Sequence, residues 1–217
     1  MIEHLIHIWP SVLFIAEGAL ITLQYSLISV FFGLIIGIIL AISKTSKYMS
    51  LQLVCNFYTS IFRGTPLLIQ LSIIYFLIPS LLGIKLSVFV AGVIAFSLNS
   101  GAYVSEIIRA GIEAVDKGQF EAAKALGIPS HMAMKDIILP QAVRKILPSL
   151  INELVNLLKE SAIISVLGEM DLMRRAQVVA AEQFNYFTPM ITAALCYYIL
   201  VFLFSTLASV LEKKMAI

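Results

Sequence analysis

In two stretches of this chain no charge interrupts an apolar run. Residues 18–43 run for 26 positions, and residues 183–211 for 29, without Lys, Arg, Asp or Glu. About 20 apolar residues in a helix cross a hydrocarbon layer about 30 Å thick, so each run is long enough to span a membrane. The rest of the composition agrees: 60% of residues are hydrophobic and only 13% are charged. That charge is about half the usual globular share, which argues against a water-soluble domain. A formal charge of +2 gives no reason to expect nucleic acid as a partner. Cys55 and Cys196 lie in apolar runs, outside any CxxC or Cys/His cluster, and read as buried thiols. The opening MIEHLIHIWP lacks the basic stretch of a signal peptide, so no cleavage is expected.

The apolar pattern predicts an all-α membrane protein with five transmembrane helices, at about residues 15–43, 50–78, 86–109, 147–167 and 187–211. No second copy of the pattern and no linker appears, so residues 1–217 read as one membrane domain. In the first span Gly33 and Gly37 have the GxxxG spacing that admits another helix closely, with Glu17 just before it at the interface. The second span contains Arg63-Gly64-Thr65-Pro66. An arginine at membrane depth needs a carboxylate, carbonyls or water, and Pro66 leaves a backbone carbonyl partly free. Two roles stay open for Arg63, an ion pair across the bundle or a place on a substrate path. On the third span Asn99, Tyr103 and Glu106 share a helix face, and Glu106 and Arg109 suit a local ion pair.

The fourth span is the most polar. Ser149, Glu153, Asn156 and Glu160 fall within about 60° of one another on a helix, with Asn152 and Lys159 on the flank and Ser161 following. Such a stripe cannot face lipid cheaply, so it must line a wet path or glue helices together.

Between the third and fourth spans lies a polar stretch at about residues 116–142, predicted to be a helix-turn-helix. Asp116 and Gln119 have the spacing of a capping box. Gly127 suits a left-handed C′ position, Pro129 suits a first helical turn, and Pro140 should stop or bend the second helix. The series Glu121-Ala122-Ala123, Gly127, Ile137 and Leu139-Pro140 resembles the EAA motif of permease subunits of bacterial ABC importers. FRGTPLLIQL, AYVSEIIRAGIEAVDKGQFEAA and NLLKESAIISVLG further resemble the polar amino acid subfamily, of the histidine, glutamine and arginine type. At Glu160-Ser161-Ala162 the chain departs from the asparagine or aspartate, threonine and serine common there.

The distribution of basic residues sets an orientation. With the N-terminus outside and the C-terminus inside, the inner side holds Lys44, Lys47, Arg109, Lys117, Lys124, Lys135, Arg144, Lys145, Lys213 and Lys214. The outer side holds only Lys85, Arg174 and Arg175, which follows the positive-inside rule and places the loop in the cytoplasm. The sequence has no GxxxxGK[ST] phosphate loop, no HExxH and no nucleophile elbow, and His4, His7 and His131 are scattered. No enzyme, cofactor or metal is expected in this chain.

The resemblance implies a permease of the cytoplasmic (inner) membrane that imports a polar amino acid, with glutamine first and arginine or histidine next. Its partners would be an ATP-binding cassette subunit carrying the ATP, a second permease copy or close paralogue, and an extracytoplasmic amino-acid-binding protein. It makes residues 116–142 the ATPase-coupling loop. Charge complementarity proposes Arg63 or Lys159 near the substrate carboxylate, with Asn99, Glu153, Asn156 and Glu160 near the ammonium or side chain and Thr65 and Ser161 beside the path. An ion-gradient-driven carrier and a non-transporting scaffold are the alternatives.

Overall fold

A computed structural model describes the backbone of residues 2–215 and the side chains of residues 9–210. The readings on His4, His7, Lys213 and Lys214 lie outside the described side chains. Among the described residues the fold is all helical. α1 (Ile2–Lys44) leads through a short turn to α2 (Met49–Gly64). α3 (Leu67–Ser72) and α4 (Ile78–Leu82) flank one π-helical stretch, Ile73–Leu77. α5 (Val88–Glu113) follows, then α6 (Lys117–Ala125), α7 (Ser130–Met132) and α8 (Leu139–Glu160). A 3-10 segment, Ser161–Leu167, precedes α9 (Leu172–Glu182) and α10 (Phe187–Met215).

Among the described residues three helices are long and apolar enough to cross a membrane: Trp9–Lys44 within α1, α5, and Phe187–Val210 within α10. The expected second span is a broken pair. Met49–Gly64 and Leu67–Leu82 meet at 107°, and counted as one span they make a fourth. The break follows from local chemistry. Thr65, restricted by the proline after it, is extended at φ −122 and ψ 147, and Pro66 is extended at φ −63 and ψ 137. The expected fourth span, residues 147–167, is not among the helices that qualify: α8 (Leu139–Glu160) carries too much charge by composition.

Of the two outcomes expected at Pro140, a stop or a bend, the stop does not occur. Helix runs without interruption from Ser130 to Glu160, because a π-helical stretch at Ala133–Ile138 offsets the hydrogen-bond ladder just ahead of the proline. A π-helical stretch also precedes Pro79.

α1 and α5 form the central seam. A Cβ on Gly33 would sit 2.8 Å from Ser100 Cβ, and one on Gly37 would sit 2.4 Å from Val104 Cγ1. Above the seam, Tyr25, Leu71, Phe96, Leu157 and Ile164 form the main core. At one end of α1, Gly18 lets the backbone of Asp171 and Leu172 pass. There Arg175 Nη1 donates to Glu17 Oε2 at 2.8 Å, stacks on Phe14 and reaches its carbonyl. At the other end Lys44 meets α2 and α5.

Candidate functional site

The loop between α5 and α8 is a compact elbow. Asp116 Oδ1 accepts the Gly118 N–H at 2.7 Å, so the expected N-cap forms. The reciprocal arm of a capping box does not: the Gln119 amide oxygen instead accepts from Gln141 on α8, at 3.4 Å. Gly127 stands at φ 72, with its N–H donating to Lys124 O and the Ile128 N–H to Ala123 O, the Schellman pattern that ends α6. Val115, Ile138, Ala142 and Ile146 are buried beneath the elbow, with Ile137 packed against them. Ala123 is buried as well, whereas Glu121, Ala122, Gly127, Leu139 and Pro140 are exposed. Leu126, 77% exposed, and Phe120 add apolar surface to that outer face.

Above the elbow lies a groove of about 460 Å³, lined by Arg63, Tyr103, Glu106, Arg109, Lys145 and Ser149 among others. Glu106 is its electrostatic centre. One carboxylate oxygen accepts from Lys44 at 2.6 Å, and the other from Arg109 at 3.0 Å, with Arg63 Nη1 at 3.7 Å. Arg63 also lies over the Tyr103 ring, 5.4 Å from its centroid, a cation–π distance. Arg109 is held further by both oxygens of Glu113, and Lys145 donates to the Ala114 carbonyl. The expected ion pairs of Arg63 across the bundle and of Glu106 with Arg109 are thus both present.

From Ser149 the polar stripe climbs α8. Asn152, Asn156, Lys159 and Glu160 are exposed, on a side of α8 that no other part of the described chain covers. Glu153 is buried at the edge facing α5, beside Ser100. Ser161 is turned into the core, its hydroxyl donating to Leu158 O at 2.8 Å.

Two of the sequence-predicted residues meet at the α2–α3 break, Thr65 within it and Asn99 reaching it from α5. Thr65 donates its hydroxyl to Ile61 O at 2.8 Å. Asn99 is buried and donates to Phe62 O and Gln70 Oε1, both at 3.0 Å. Gln70, which the sequence reading did not single out, donates to Phe62 O and to both oxygens of Thr65. Its signal was its place four residues after Pro66, one turn along the same helix face.

At the opposite end Asp171 is fully buried as the N-cap of α9. Its oxygens accept from the Arg174 N–H at 2.9 Å and the Tyr197 hydroxyl at 3.3 Å. Burial pushes its carboxyl up to about 6, against the opposing pull of those hydrogen bonds.

A family profile described as "binding-protein-dependent transport system inner membrane component" matches residues 33–217. The chain belongs to this family. It is 69% identical over 217 residues, all of both chains, to a putative glutamine transport system permease protein of Rickettsia felis. It is 51% identical to the arginine transport system permease protein of Bacillus subtilis, over 95% of this chain and 94% of the relative. Among solved structures, an amino acid ABC transporter described as crystallised with histidines superposes with a TM-score of 0.90 at 42% identity, covering 97% of each chain. The inward-facing MetNI methionine ABC transporter shares the fold at a TM-score of 0.77 and 19% identity, over 95% of this chain and 98% of the other. The resemblance carried by the EAA series and the FRGTP segment is borne out at the level of the family, and the protein is a multi-pass inner-membrane component.

Proposed function

We propose that this chain is a permease subunit of an ATP-driven importer for a polar amino acid, glutamine first and arginine or histidine next. The names of the Rickettsia and Bacillus relatives support that ranking. The carboxylates on α8 favour a substrate that carries positive charge. In this reading the spans are α1, the α2–α4 pair, α5, α8 with its 3-10 extension, and α10, with the N-terminus outside.

One observation carries the reading. Asn152, Asn156, Lys159 and Glu160 lie exposed on a helix of the membrane domain, directly above a groove that holds Arg63. Charged groups at that depth cannot face lipid, so a second permease copy or close paralogue covers them and a wet path runs between the two. Arg63 and Lys159 would draw the substrate carboxylate, and Glu153, Asn156 and Glu160 its ammonium or side chain. A binding protein would deliver the amino acid from outside. ATP stays on the partner subunit, which grips the outer face of the elbow. When ATP closes the ATPase pair, the elbow moves as one body with α5 and α8, because its core is continuous with both, and the path switches from inward- to outward-facing.

The elbow is tested by Glu121→Lys and Gly127→Val. Both variants should insert in the bilayer yet fail to retain the ATPase on purification, and vanadate-sensitive uptake should vanish with it. Uptake that survives either substitution, or that ignores vanadate, would point to an ion-driven carrier instead.

A further inference from the structure

Pro66 has no N–H, so the Phe62 carbonyl four residues earlier has no main-chain donor. A carbonyl left bare in a buried site costs as much as a lost hydrogen bond. Here it accepts twice, from Gln70 Nε2 at 2.9 Å and from Asn99 Nδ2 at 3.0 Å. The same Gln70 amide nitrogen reaches Thr65 O and Oγ1, while its oxygen accepts from Asn99. Gln70 and Asn99 are 6% and 4% exposed, so water does not serve these groups. Every donor of the two amides therefore points into the break between α2 and α3.

We infer that Gln70 and Asn99 are positioning residues that lock this break at its bend. The lock makes the FRGTP segment a rigid bracket attached to α5 instead of a flexing hinge. It aims Arg63, one residue past Phe62, over Tyr103 and toward Glu106 in the groove. During the transport cycle the bracket then moves with α5 as a unit.

The experiment uses the permease reconstituted with its ATPase and binding protein. Spin labels at Phe57→Cys and Leu81→Cys, both exposed in the chain, report the angle between α2 and α4 once Cys55 and Cys196 are replaced by alanine. Excess unlabelled chain suppresses distances between copies. Gln70→Leu should broaden the distance distribution and cut uptake by about fivefold or more. Asn99→Leu should act alike, and the losses in the double variant should not simply add, since each single leaves the Phe62 carbonyl one donor and only the double leaves it bare.

Gln70→Glu gives an arm that plain packing would not move. Its carboxylate has no donor and would face the Phe62 and Thr65 carbonyls, whereas the neutral acid keeps one donor and one acceptor. Uptake relative to the unsubstituted chain should therefore recover as pH falls from about 8 to about 6. The inference is overturned by an unbroadened distribution in Gln70→Leu, by additive losses in the double variant, or by a flat pH ratio in Gln70→Glu. The uptake arm rests on the transport reading above, whereas the distance arm holds whatever the chain carries.

Discussion

Lys44 Nζ lies 2.6 Å from Glu106 Oε1, joining the C-terminal end of α1 to α5 with the lysine side chain only 6% exposed. The ammonium also donates to Thr59 on α2 and Ser105 on α5, so one buried cation ties three helices. Glu106 keeps Arg109 and Arg63 if Lys44 is lost, but among the described residues Lys44 has no second carboxylate within salt-bridge distance. Glu106→Gln should thus destabilise more than Lys44→Met, by roughly 2–4 kcal/mol against roughly 1–2. The double variant should cost less than the sum of the two. Thermal unfolding in detergent, followed by loss of monodisperse protein, measures all three.

The α1–α5 seam sorts the glycines by need. A Cβ at Gly37 would lie 2.4 and 2.6 Å from Val104 side-chain atoms, and a Cβ at Gly64 would meet nothing within 4 Å. Gly37→Ala should cost about 1–3 kcal/mol through forced separation of the helices. Gly64→Ala should be neutral or slightly stabilising in the last turn of α2, within about 0.5 kcal/mol. The same unfolding assay distinguishes them, and equal losses would contradict the seam.

Local signals in the sequence were legible because their physics is local. Gly127 took the left-handed turn that its missing Cβ permits, and Asp116 capped α6 from two residues away. Gly33 and Gly37 declared a close approach, though not that α5 was the helix approaching. Pro66 announced a free carbonyl, but the donors that fill it could not be read, since Asn99 is 37 residues distant and reaches Phe62 only once α5 has packed. For the same reason Asn99 read as a path residue: an amide on an apolar helix looks alike whether it faces a ligand or a broken neighbour. Pro140 did not stop its helix because a π turn can absorb a proline that an α-helix cannot, and no residue type marks π turns in advance. The α8 stripe was legible as polar, and its exposure reflects surface that one chain alone does not cover.

Asp171 predicts an acid-side pH dependence. Its carboxyl titrates near 6 in the fold against an ordinary value of 3.8, so its neutral form is the one the buried site prefers. A raised folded value gives a stabilising contribution that is complete below about pH 4 and is lost as pH rises through about 6. Asp171→Asn keeps the cap on α9 through its one amide oxygen and turns its NH2 toward the Tyr197 oxygen, which can accept, without the charge. The stability difference between the variant and the unsubstituted protein should therefore grow in the variant's favour from about pH 4 to about pH 6, by on the order of 2–3 kcal/mol, and then level off. Parallel melting curves across that range check it, and a constant offset would mean that Asp171 is ionised throughout.

Arg63 and Glu160 divide the proposed path by charge. Arg63 is 44% exposed to the groove and is held there by Tyr103 and, loosely at 3.7 Å, by Glu106, so its remaining donors are free for a carboxylate. Arg63→Ala should lower uptake of every amino acid alike, by about tenfold or more, since all share the α-carboxylate. Arg63→Lys should recover only part of it, because an ammonium supplies charge without the planar fork. Glu160 lies exposed on α8 and would meet the other end of the substrate. Glu160→Gln should leave glutamine uptake within about threefold while reducing arginine uptake by about tenfold, a shift of specificity away from the cationic substrate and not a loss of transport. Competition with a panel of labelled amino acids in reconstituted vesicles separates these outcomes. Unchanged rates and half-saturation in both Arg63→Ala and Glu160→Gln would assign specificity to the binding protein and leave this groove a structural seam.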